Sequence, residues 1–284
     1  MPTTHPIDDH RIERAIGEPA RSVSPLSGGC VADVRLITTA SGRQFVAKLA
    51  TRSLDREAAM LKHLRDRSAL PVPSVLLADP DLLIMEHIDH AGGSGWGTHL
   101  ADLLAGLHTI TADTNRFGFD SQTLIGPIPL SNDWSNHWPA FYRDHRLLPL
   151  IAEAARRDHL PAPLETRLRR FADRLDSELD HAPQPSLIHG DVWSGNVLAS
   201  GPRVVGLIDP SIQYADPEFE LAFIALFSTG GPEFFDRYRE HNPIDRAFFQ
   251  RRIYIYQLFP LLVHAALFGG GYVSQLDATL ARVE

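Results

Sequence analysis

The chain has 284 residues, 44% hydrophobic and 22% charged, and its 20 glycines and 21 prolines are too few for a collagen-like or disordered protein. Because 27 Lys and Arg stand against 35 Asp and Glu, the formal charge is −8, and we expect neither nucleic acid nor an anionic membrane as a partner. A single cysteine, Cys30, excludes an intramolecular disulfide and indicates a reducing compartment. The first 14 residues lack the apolar segment of a signal peptide and no run is long enough to span a bilayer, so we expect a cytoplasmic protein.

The pattern of residues 1–88 predicts a small β-rich lobe. Loosely alternating β-branched and apolar residues over 21–49 are interrupted by two turns, the first glycine-rich, and predict three antiparallel strands. Apolar residues at helical spacing over 54–64 predict one helix, with Ser53 as its N-cap. Two further strands are predicted, at 74–78 and 82–86.

From residue 89 onward the pattern is mostly helical, after a glycine-dense candidate linker at 91–95. Helices are predicted at 96–107, 134–145, 164–179, 218–227, 232–238 and 247–267. Three short strands are predicted between the third and fourth of these, at 186–188, 197–199 and 204–208. We therefore predict an α+β, bilobal chain, with an N-terminal lobe over 1–88 and a C-terminal helical lobe over 89–284.

Polar residues concentrate beside these short strands. Asp191 and Asn196 follow one apolar run and Asp209 follows another, which predicts loops at the edge of a buried sheet. Phosphoryl transfer needs a carboxylate that accepts the proton of the attacking hydroxyl, and hard oxygen ligands that hold Mg²⁺ on the nucleotide phosphates. The spacing of Asp191 and Asn196 is that of a kinase catalytic loop, and Asp209 is in register for a metal-binding aspartate. The alternative for the first two is a pair of turn-forming side chains.

The N-terminal part carries a matching set of candidates. Gly28 and Gly29 lie between two predicted strands, where their backbone N–H groups can approach phosphates, although such a turn is also an ordinary hairpin. Lys48, at the end of an apolar strand, is the candidate phosphate-pairing lysine, and Glu57 on the next helix is the candidate that orients it. The run 83–88 resembles the strand that leads into the hinge between the lobes of a kinase, and this resemblance implies that the backbone groups of Glu86, His87 and Ile88 would hold the adenine.

Three further side chains have two interpretations each. His189 either takes part in catalysis or braces its loop through backbone hydrogen bonds, and we favour bracing. Trp193 either fills the core or stacks on a sugar face. Cys30 is either an inert small hydrophobe or a thiol whose oxidation would distort the glycine-rich loop.

The collected motifs resemble the protein-kinase-like superfamily that includes the aminoglycoside phosphotransferases, since His-Gly-Asp stands at 189–191. Within it, the chain is most similar to the fructosamine kinase (ketosamine-3-kinase) family, over nearly its whole length. The motifs that carry the likeness are HGDVWSGN (189–196), FGF (117–119), GPIP (126–129), WPAFY (138–142), HRL (145–147), IDP (208–210) and LFGGGY (267–272). The run 211–218 departs from the family's Gly-x-Arg-Glu pattern, so the likeness leaves the sugar preference open.

This resemblance implies a kinase that uses ATP and Mg²⁺, with Asp191 as catalytic base and with Asn196 and Asp209 as metal ligands. The implied acceptor is a ketosamine, a sugar joined through nitrogen to an amino acid or to a protein lysine. Its phosphorylation at the 3-hydroxyl would labilise the adduct and lead to deglycation. Neither the oligomeric state nor the choice between a free metabolite and a glycated protein is implied.

Three alternatives remain open at this point. The same apparatus serves other acceptors, such as an aminoglycoside, choline or homoserine. A kinase-shaped protein that binds nucleotide without turnover is the second. The third is a hydrolytic iron or manganese site built from His189 and the two aspartates, although such a site has no need of an upstream glycine loop and lysine.

Overall fold

The computed structural model describes residues 9–26, 33–50 and 53–284. In that part of the chain five strands form an antiparallel sheet: β1 (Ala20–Pro25), β2 (Asp33–Thr39), β3 (Gln44–Leu49), β4 (Val75–Ala78) and β5 (Leu82–Glu86). Their order in the sheet is β1-β2-β3-β5-β4. Two helices accompany the sheet, α1 (Asp9–Ile16) and α2 (Leu54–Arg67).

The two faces of the sheet are covered by different helices. Phe45, Ala47 and Leu49 of β3 pack in the cluster that contains Ile12 and Ile16 of α1. Val46 packs instead in the main core, together with the apolar face of α2. Because side chains alternate along a strand, Lys48 lies on the same face as Val46. The period of the strand therefore directs Lys48 toward α2.

Helix α2 begins at Leu54, as predicted, but Ser53 does not cap it. The backbone of Ser53 is left-handed (φ 77°), and its side chain makes no capping hydrogen bond. A side-chain N-cap needs extended backbone, because only then does the oxygen reach the N–H groups of the first turn. Ser53 thus occupies the predicted N-cap position, but the expectation that its side chain caps the helix is wrong.

The remainder of the described chain is mostly helical. Its helices are α3 (Gly97–Leu107), α4 (Trp138–Tyr142), α5 (Leu148–Arg156), α6 (Ala162–Ala172), α7 (Leu175–Glu178), α8 (Pro217–Leu226), α9 (Glu233–His241), α10 (Ile253–Phe268) and α11 (Gly271–Leu280). Three two-stranded ladders complete it: β6 (Thr123–Ile125) with β7 (Ile128–Leu130), β8 (Ser186–Ile188) with β11 (Gln213–Ala215), and β9 (Val197–Ser200) with β10 (Arg203–Leu207).

Several of these elements were missed by the sequence pattern. They are α5, α11, the β6–β7 hairpin and strand β11. The chain continues from α4 into α5 through a π-helical turn at Arg143–Leu147, and Pro149 lies in the first turn of α5, where a missing N–H costs nothing. Proline also lies inside α10, at the buried Pro260, and the helix continues past it to Phe268.

The mixed α and β content and the antiparallel sheet agree with the predicted fold class. Contacts join the sheet-bearing part to the helical part: His63 of α2 bonds the Tyr214 hydroxyl at 3.1 Å, and Arg67 forms a two-pronged ion pair with Asp113. The boundary at residue 88 stays a prediction. No helix of the described residues is long and apolar enough to cross a membrane.

Candidate active site

Lys48 of β3 joins the sheet to the loop after β10. Its side chain is 7% exposed, and its Nζ bonds Glu57 of α2 at 2.6 Å and also bonds the Asp209 carboxylate. Burial by itself would lower the pKa of Lys48, but the two carboxylates at Nζ raise the pKa above its ordinary value. Lys48 is therefore a fully charged ammonium held between two parts of the fold.

Asp191 and Asn196 meet across the turn that follows β8. The Asn196 amide nitrogen lies 2.9 Å from the Asp191 backbone oxygen and 2.9 Å from its Oδ2, and it donates to both. Ile208 N–H donates to the Asn196 carbonyl oxygen at 3.1 Å, which ties this turn to the loop that carries Asp209. Burial raises the pKa of Asp191 to about 7. The hydrogen bond from Asn196 opposes this rise, and repulsion from the Asp209 carboxylate adds to it.

The donor set suits a hard divalent cation. Both amide hydrogens of Asn196 are engaged, so its Oδ1 is the atom left to ligate a cation. Asp209 presents a partly exposed carboxylate from a left-handed backbone (φ 56°), a conformation that Asp tolerates better than most residues. Carboxylate and amide oxygens are the ligand types that Mg²⁺ takes in phosphoryl-transfer sites.

The candidate adenine-binding segment lies at the end of β5. The N–H of Glu86 donates to the Ser74 carbonyl at 2.8 Å, and the N–H of His87 donates to that of Gln44 at 3.4 Å. Two of the three candidate residues thus already use their backbone N–H within the protein. Within the described ranges, Ile88 is the residue of this segment whose N–H is left for an outside acceptor.

Trp193 is exposed rather than buried, at 42% of its surface, so the core-filling alternative is wrong for it. Its indole covers Gly195, where an added Cβ would lie 2.3 Å from the ring. Three other candidates, Gly28, Gly29 and Cys30, lie outside the described residues.

His189 is fully buried beside the base candidate. Its Nδ1 lies 3.4 Å from the Asp191 N–H, and its Nε2 has no partner in the described part of the chain. Burial lowers the pKa of His189, so the imidazole is neutral. A neutral ring that contacts backbone agrees with bracing.

The residue that sequence reasoning missed is Glu220 of α8. It is 2% exposed, and its Oε1 accepts the Gly190 N–H at 2.5 Å, directly before Asp191. Its Oε2 lies 2.9 Å from Nε2 of His108, at the end of α3. The available signal was a carboxylate between Phe219 and Leu221, in a helix whose other buried residues are apolar.

A second cluster of polar residues lies at the beginning of α8. His181 Nε2 bonds Asp216 Oδ2 at 2.6 Å, while Asp216 Oδ1 caps α8 by accepting the Glu218 N–H at 2.9 Å. Arg252 and Tyr256 bond Glu218 and Asp216 respectively. The cluster borders a cavity of about 390 Å³. Because an arginine already neutralises it, we interpret it as an ion-pair network that anchors α8.

Metal-ligand geometry also bears on the hydrolytic alternative. In the part of the chain that the structure describes, His181, Asp216 and Glu218 are the one group of three side chains whose ligand atoms come within reach of a single ion. His189 and the two aspartates of the candidate site do not form such a group.

Comparisons with known proteins agree with this geometry. A family model described as fructosamine kinase matches residues 7–283. A curated relative from mouse, "Ketosamine-3-kinase", is 31% identical over 86% of this chain and 89% of its own length. A "Probable ketoamine kinase" from Lactiplantibacillus plantarum is 31% identical over 92% of this chain and 94% of its own.

Solved structures extend the likeness to three dimensions. A crystallised protein from Thermobifida fusca, provisionally described as a fructosamine-3-kinase, has a TM-score of 0.86 and 30% identity over 96% of this chain and 97% of its own. The gentamicin complex of the phosphotransferase APH(2")-IIa has a TM-score of 0.67 over 99% of this chain and 98% of its own, at 15% identity, which shows a shared fold. The protein-kinase-like fold predicted from the motifs is confirmed.

Proposed function

Since the chain belongs to the fructosamine kinase family and is a kinase, we propose that it transfers the γ-phosphoryl group of ATP to the 3-hydroxyl of a ketosamine. The contact that carries the chemical part of this proposal joins Lys48 to Asp209. It brings the phosphate-pairing candidate within one hydrogen bond of a metal-ligand candidate. The name of the mouse relative supports the acceptor and the position of transfer.

Asp191 is the group that prepares the acceptor. Its carboxylate accepts the proton of the sugar hydroxyl as that oxygen bonds to phosphorus, while the bond from Asn196 holds Oδ2 in place. Because burial raises the pKa of Asp191 to about 7, the carboxylate is a better proton acceptor than an exposed aspartate.

Lys48 binds the phosphates that leave with ADP. Its ammonium has three N–H donors, of which two are directed to Glu57 and Asp209, and the third is available to a phosphate oxygen. Glu57 fixes the direction of the ammonium from α2. Charge pairing of this kind, rather than covalent chemistry, is the main contribution of a protein to phosphoryl transfer.

Asn196 and Asp209 are the residues that would hold a divalent ion, through Oδ1 and a carboxylate oxygen, and we take that ion to be Mg²⁺. When bound, it would neutralise charge on the nucleotide phosphates. The exposed indole of Trp193 offers a flat apolar surface two residues beyond Asp191, of the kind that stacks on a sugar ring.

The acceptor is tested by a panel of compounds presented with ATP and Mg²⁺, with ADP release as the readout. Fructosyl-lysine is expected to turn over, and ³¹P and ¹³C NMR of the product should place the phosphate on the 3-hydroxyl. Kanamycin, choline and homoserine are the comparison compounds, and a glycated protein separates free from protein-bound adducts. Efficient turnover of an aminoglycoside with none of fructosyl-lysine would contradict the proposed acceptor. ADP release that none of the compounds in the panel increases would contradict the proposed acceptor as well.

A further inference from the structure

Lysine is nearly absent from this chain. Of its 27 Lys and Arg residues, two are lysines, Lys48 and Lys62, and the others are arginines. The two residue types differ in their reactivity toward carbonyl compounds, because a lysine amine adds to an aldehyde and forms an imine, whereas a guanidinium stays protonated and offers no free amine. Apart from the terminal amino group, the chain therefore has two amines on which a reducing sugar can form a ketosamine.

Lys48 is enclosed by the candidate active site. Its side chain is 7% exposed, and its Nζ lies between the carboxylates of Glu57 and Asp209 and bonds both. An aldehyde carbon can reach this nitrogen only after one of the two charged partners has moved aside. Burial and ion pairing thus protect the amine that is proposed to contact a phosphate.

Lys62 lies in different surroundings, on the solvent face of α2. The residue is exposed, and in the described part of the chain no hydrogen bond or ion pair holds its side chain. Its neighbours on this face, Ala59 one turn before it and Asp66 one turn after it, are exposed as well. A sugar can therefore approach the Lys62 amine directly from solvent.

The carboxylate of Asp66 suits the second step of adduct formation. In the first step the Lys62 nitrogen bonds to the aldehyde carbon of an aldose, and water leaves as the imine forms. The imine then rearranges: hydrogens leave C2 and its hydroxyl and are added to C1 and to the nitrogen, so no oxidant or reductant is needed. Side chains four positions apart on a helix are neighbours, which places Asp66 where a base can remove the C2 proton.

An adduct on Lys62 would point away from the cleft. Since a helix turns by about 100° per residue, Lys62 lies about 140° around α2 from Glu57. Glu57 is the residue of α2 that bonds Lys48, and His63 is the residue that bonds Tyr214 in the helical part. A sugar on Lys62 would extend into solvent without displacing either contact.

We propose that Lys62 is the side chain on which reducing sugars form a ketosamine on this protein, while Lys48 is shielded, so that the kinase keeps its nucleotide site among the sugars that generate its own substrates. The last part rests on the proposed function, because ketosamine acceptors imply that the protein meets reducing sugars. The difference in reactivity between Lys62 and Lys48 does not depend on it.

Peptide mass spectrometry after incubation with D-ribose tests this assignment. The nucleotide-free protein is incubated at neutral pH, well below its unfolding temperature, and ribitol, which has no aldehyde, is the control compound. We expect pentose adducts on Lys62 to form at least about tenfold faster than on Lys48, because freeing Lys48 breaks charge-assisted hydrogen bonds. Ribitol should give no adduct.

Two variants separate the exposed amine from the shielded one. Lys62→Arg keeps the positive charge but removes the amine, so pentose should be confined to the terminal amino group, with the Kd for ATP equal to that of the parent. Glu57→Gln removes one of the two carboxylates at Lys48. It should raise the rate of adduct formation on Lys48 at least about threefold and leave the rate on Lys62 unchanged.

Calorimetric titration with ATP supplies the second measurement. Parent protein that carries the adduct on Lys62 should bind ATP with the Kd of the untreated protein, and a weaker Kd would contradict an adduct that points away from the cleft. Lys62 left unmodified, or Lys48 modified as fast as Lys62, would overturn the proposal. The adduct map needs neither ATP nor an acceptor, so its failure and the failure of the proposed function are distinguishable.

Discussion

Two residues of the site, Gly190 and Asp209, have left-handed backbones, and their surroundings require this to different degrees. An added Cβ on Gly190 (φ 85°) would lie 2.0 Å from the Ser211 carbonyl oxygen, which is backbone and cannot move aside. Asp209 carries its side chain at φ 56° and uses it to bond Lys48. Glycine is therefore obligatory at the first position, while at the second a strained backbone is kept together with a functional carboxylate.

This difference gives a prediction with an internal control. Gly17 also has a left-handed backbone (φ 83°), but an added Cβ there meets nothing within 4 Å. Gly17→Ala should lower the free energy of unfolding by about 1 kcal/mol, from backbone strain alone. Gly190→Ala should lower it by roughly 3 kcal/mol or more, because overpacking is added to strain, and should abolish turnover. Urea unfolding of both variants makes the comparison, and equal losses would contradict the assigned clash.

Asp191 gives the second prediction at this scale. Asp191→Asn keeps the size and an oxygen for the bond from Asn196 but removes the proton acceptor. We expect kcat to fall about 10³-fold, within the usual contribution of a general base, while the Kd for ATP is little changed. Asp209→Asn should weaken metal-dependent nucleotide binding as well, because a charged ligand is lost. Calorimetric titration with ATP, with and without Mg²⁺, separates the two, and turnover by Asp191→Asn equal to the parent would remove Asp191 as base.

At the scale of elements, α8 connects the catalytic loop to the ion-pair network at its own beginning. Asp216 caps the helix and bonds His181, and Glu220 lies one turn further along. The His181 ring is partly buried, which by itself would lower its pKa, but the bond to Asp216 and the charge of Glu218 raise the pKa above its ordinary value. Protonated His181 is thus favoured by folding.

The sign of the pH dependence follows from that direction. A raised pKa in the folded state stabilises the protein fully below the unfolded pKa of about 6.5, and this stabilisation is lost as the pH rises through the folded value. His181→Gln should therefore cost about 1 kcal/mol near pH 6 and less at about pH 9. The difference in Tm between the parent and His181→Gln, measured at both pH values, tests this prediction. In an Asp216→Asn background the pH dependence should become smaller, because only the charge of Glu218 remains, and an undiminished pH dependence would contradict the pairing with Asp216.

At the scale of the whole molecule, buried Arg146 holds three distant segments together. Its guanidinium donates to the Ser131 backbone oxygen at 2.8 Å, to the side-chain oxygen of Asn132 and to that of Gln213 in β11. It also lies 4.8 Å from the ring of Phe141. Arg146 itself lies in the turn before α5, and its bonds tie this turn to the segment after β7 and to strand β11. Strand β11 pairs with β8, and β8 leads directly into the catalytic loop.

Arg146→Met is expected to lower the free energy of unfolding by about 3–4 kcal/mol, because the buried side-chain oxygens of Asn132 and Gln213 and the backbone oxygens of Ser131 and His145 lose their donor. Arg170→Met, on the exposed face of α6, should change it by no more than about 0.5 kcal/mol. Denaturant titrations of both proteins provide the measurement. A loss of less than about 1 kcal/mol for Arg146→Met would show that water replaces the guanidinium.

The sequence by itself determined most of the local elements and the identity of the chemistry. Strand and helix periods, turn residues and the spacing of Asp191, Asn196 and Asp209 depend on neighbours along the chain, so each can be inferred from the order of residues alone. Helix α5 was missed because it is short and begins beside Pro149; proline is tolerated in a first turn, and the packing of Leu150 and Ile151 in the core stabilises the helix.

Only the tertiary structure decided which of these residues meet. Lys48 and Asp209 are 161 positions apart, and Glu220 reaches Gly190 from 30 positions away. A period assigns a residue to a face, but which faces meet depends on how whole elements pack. For that reason Asp191 could be named from its motif, whereas the hydrogen bonds that join Glu220, His108 and Tyr238 became visible only when α3, α8 and α9 were placed side by side.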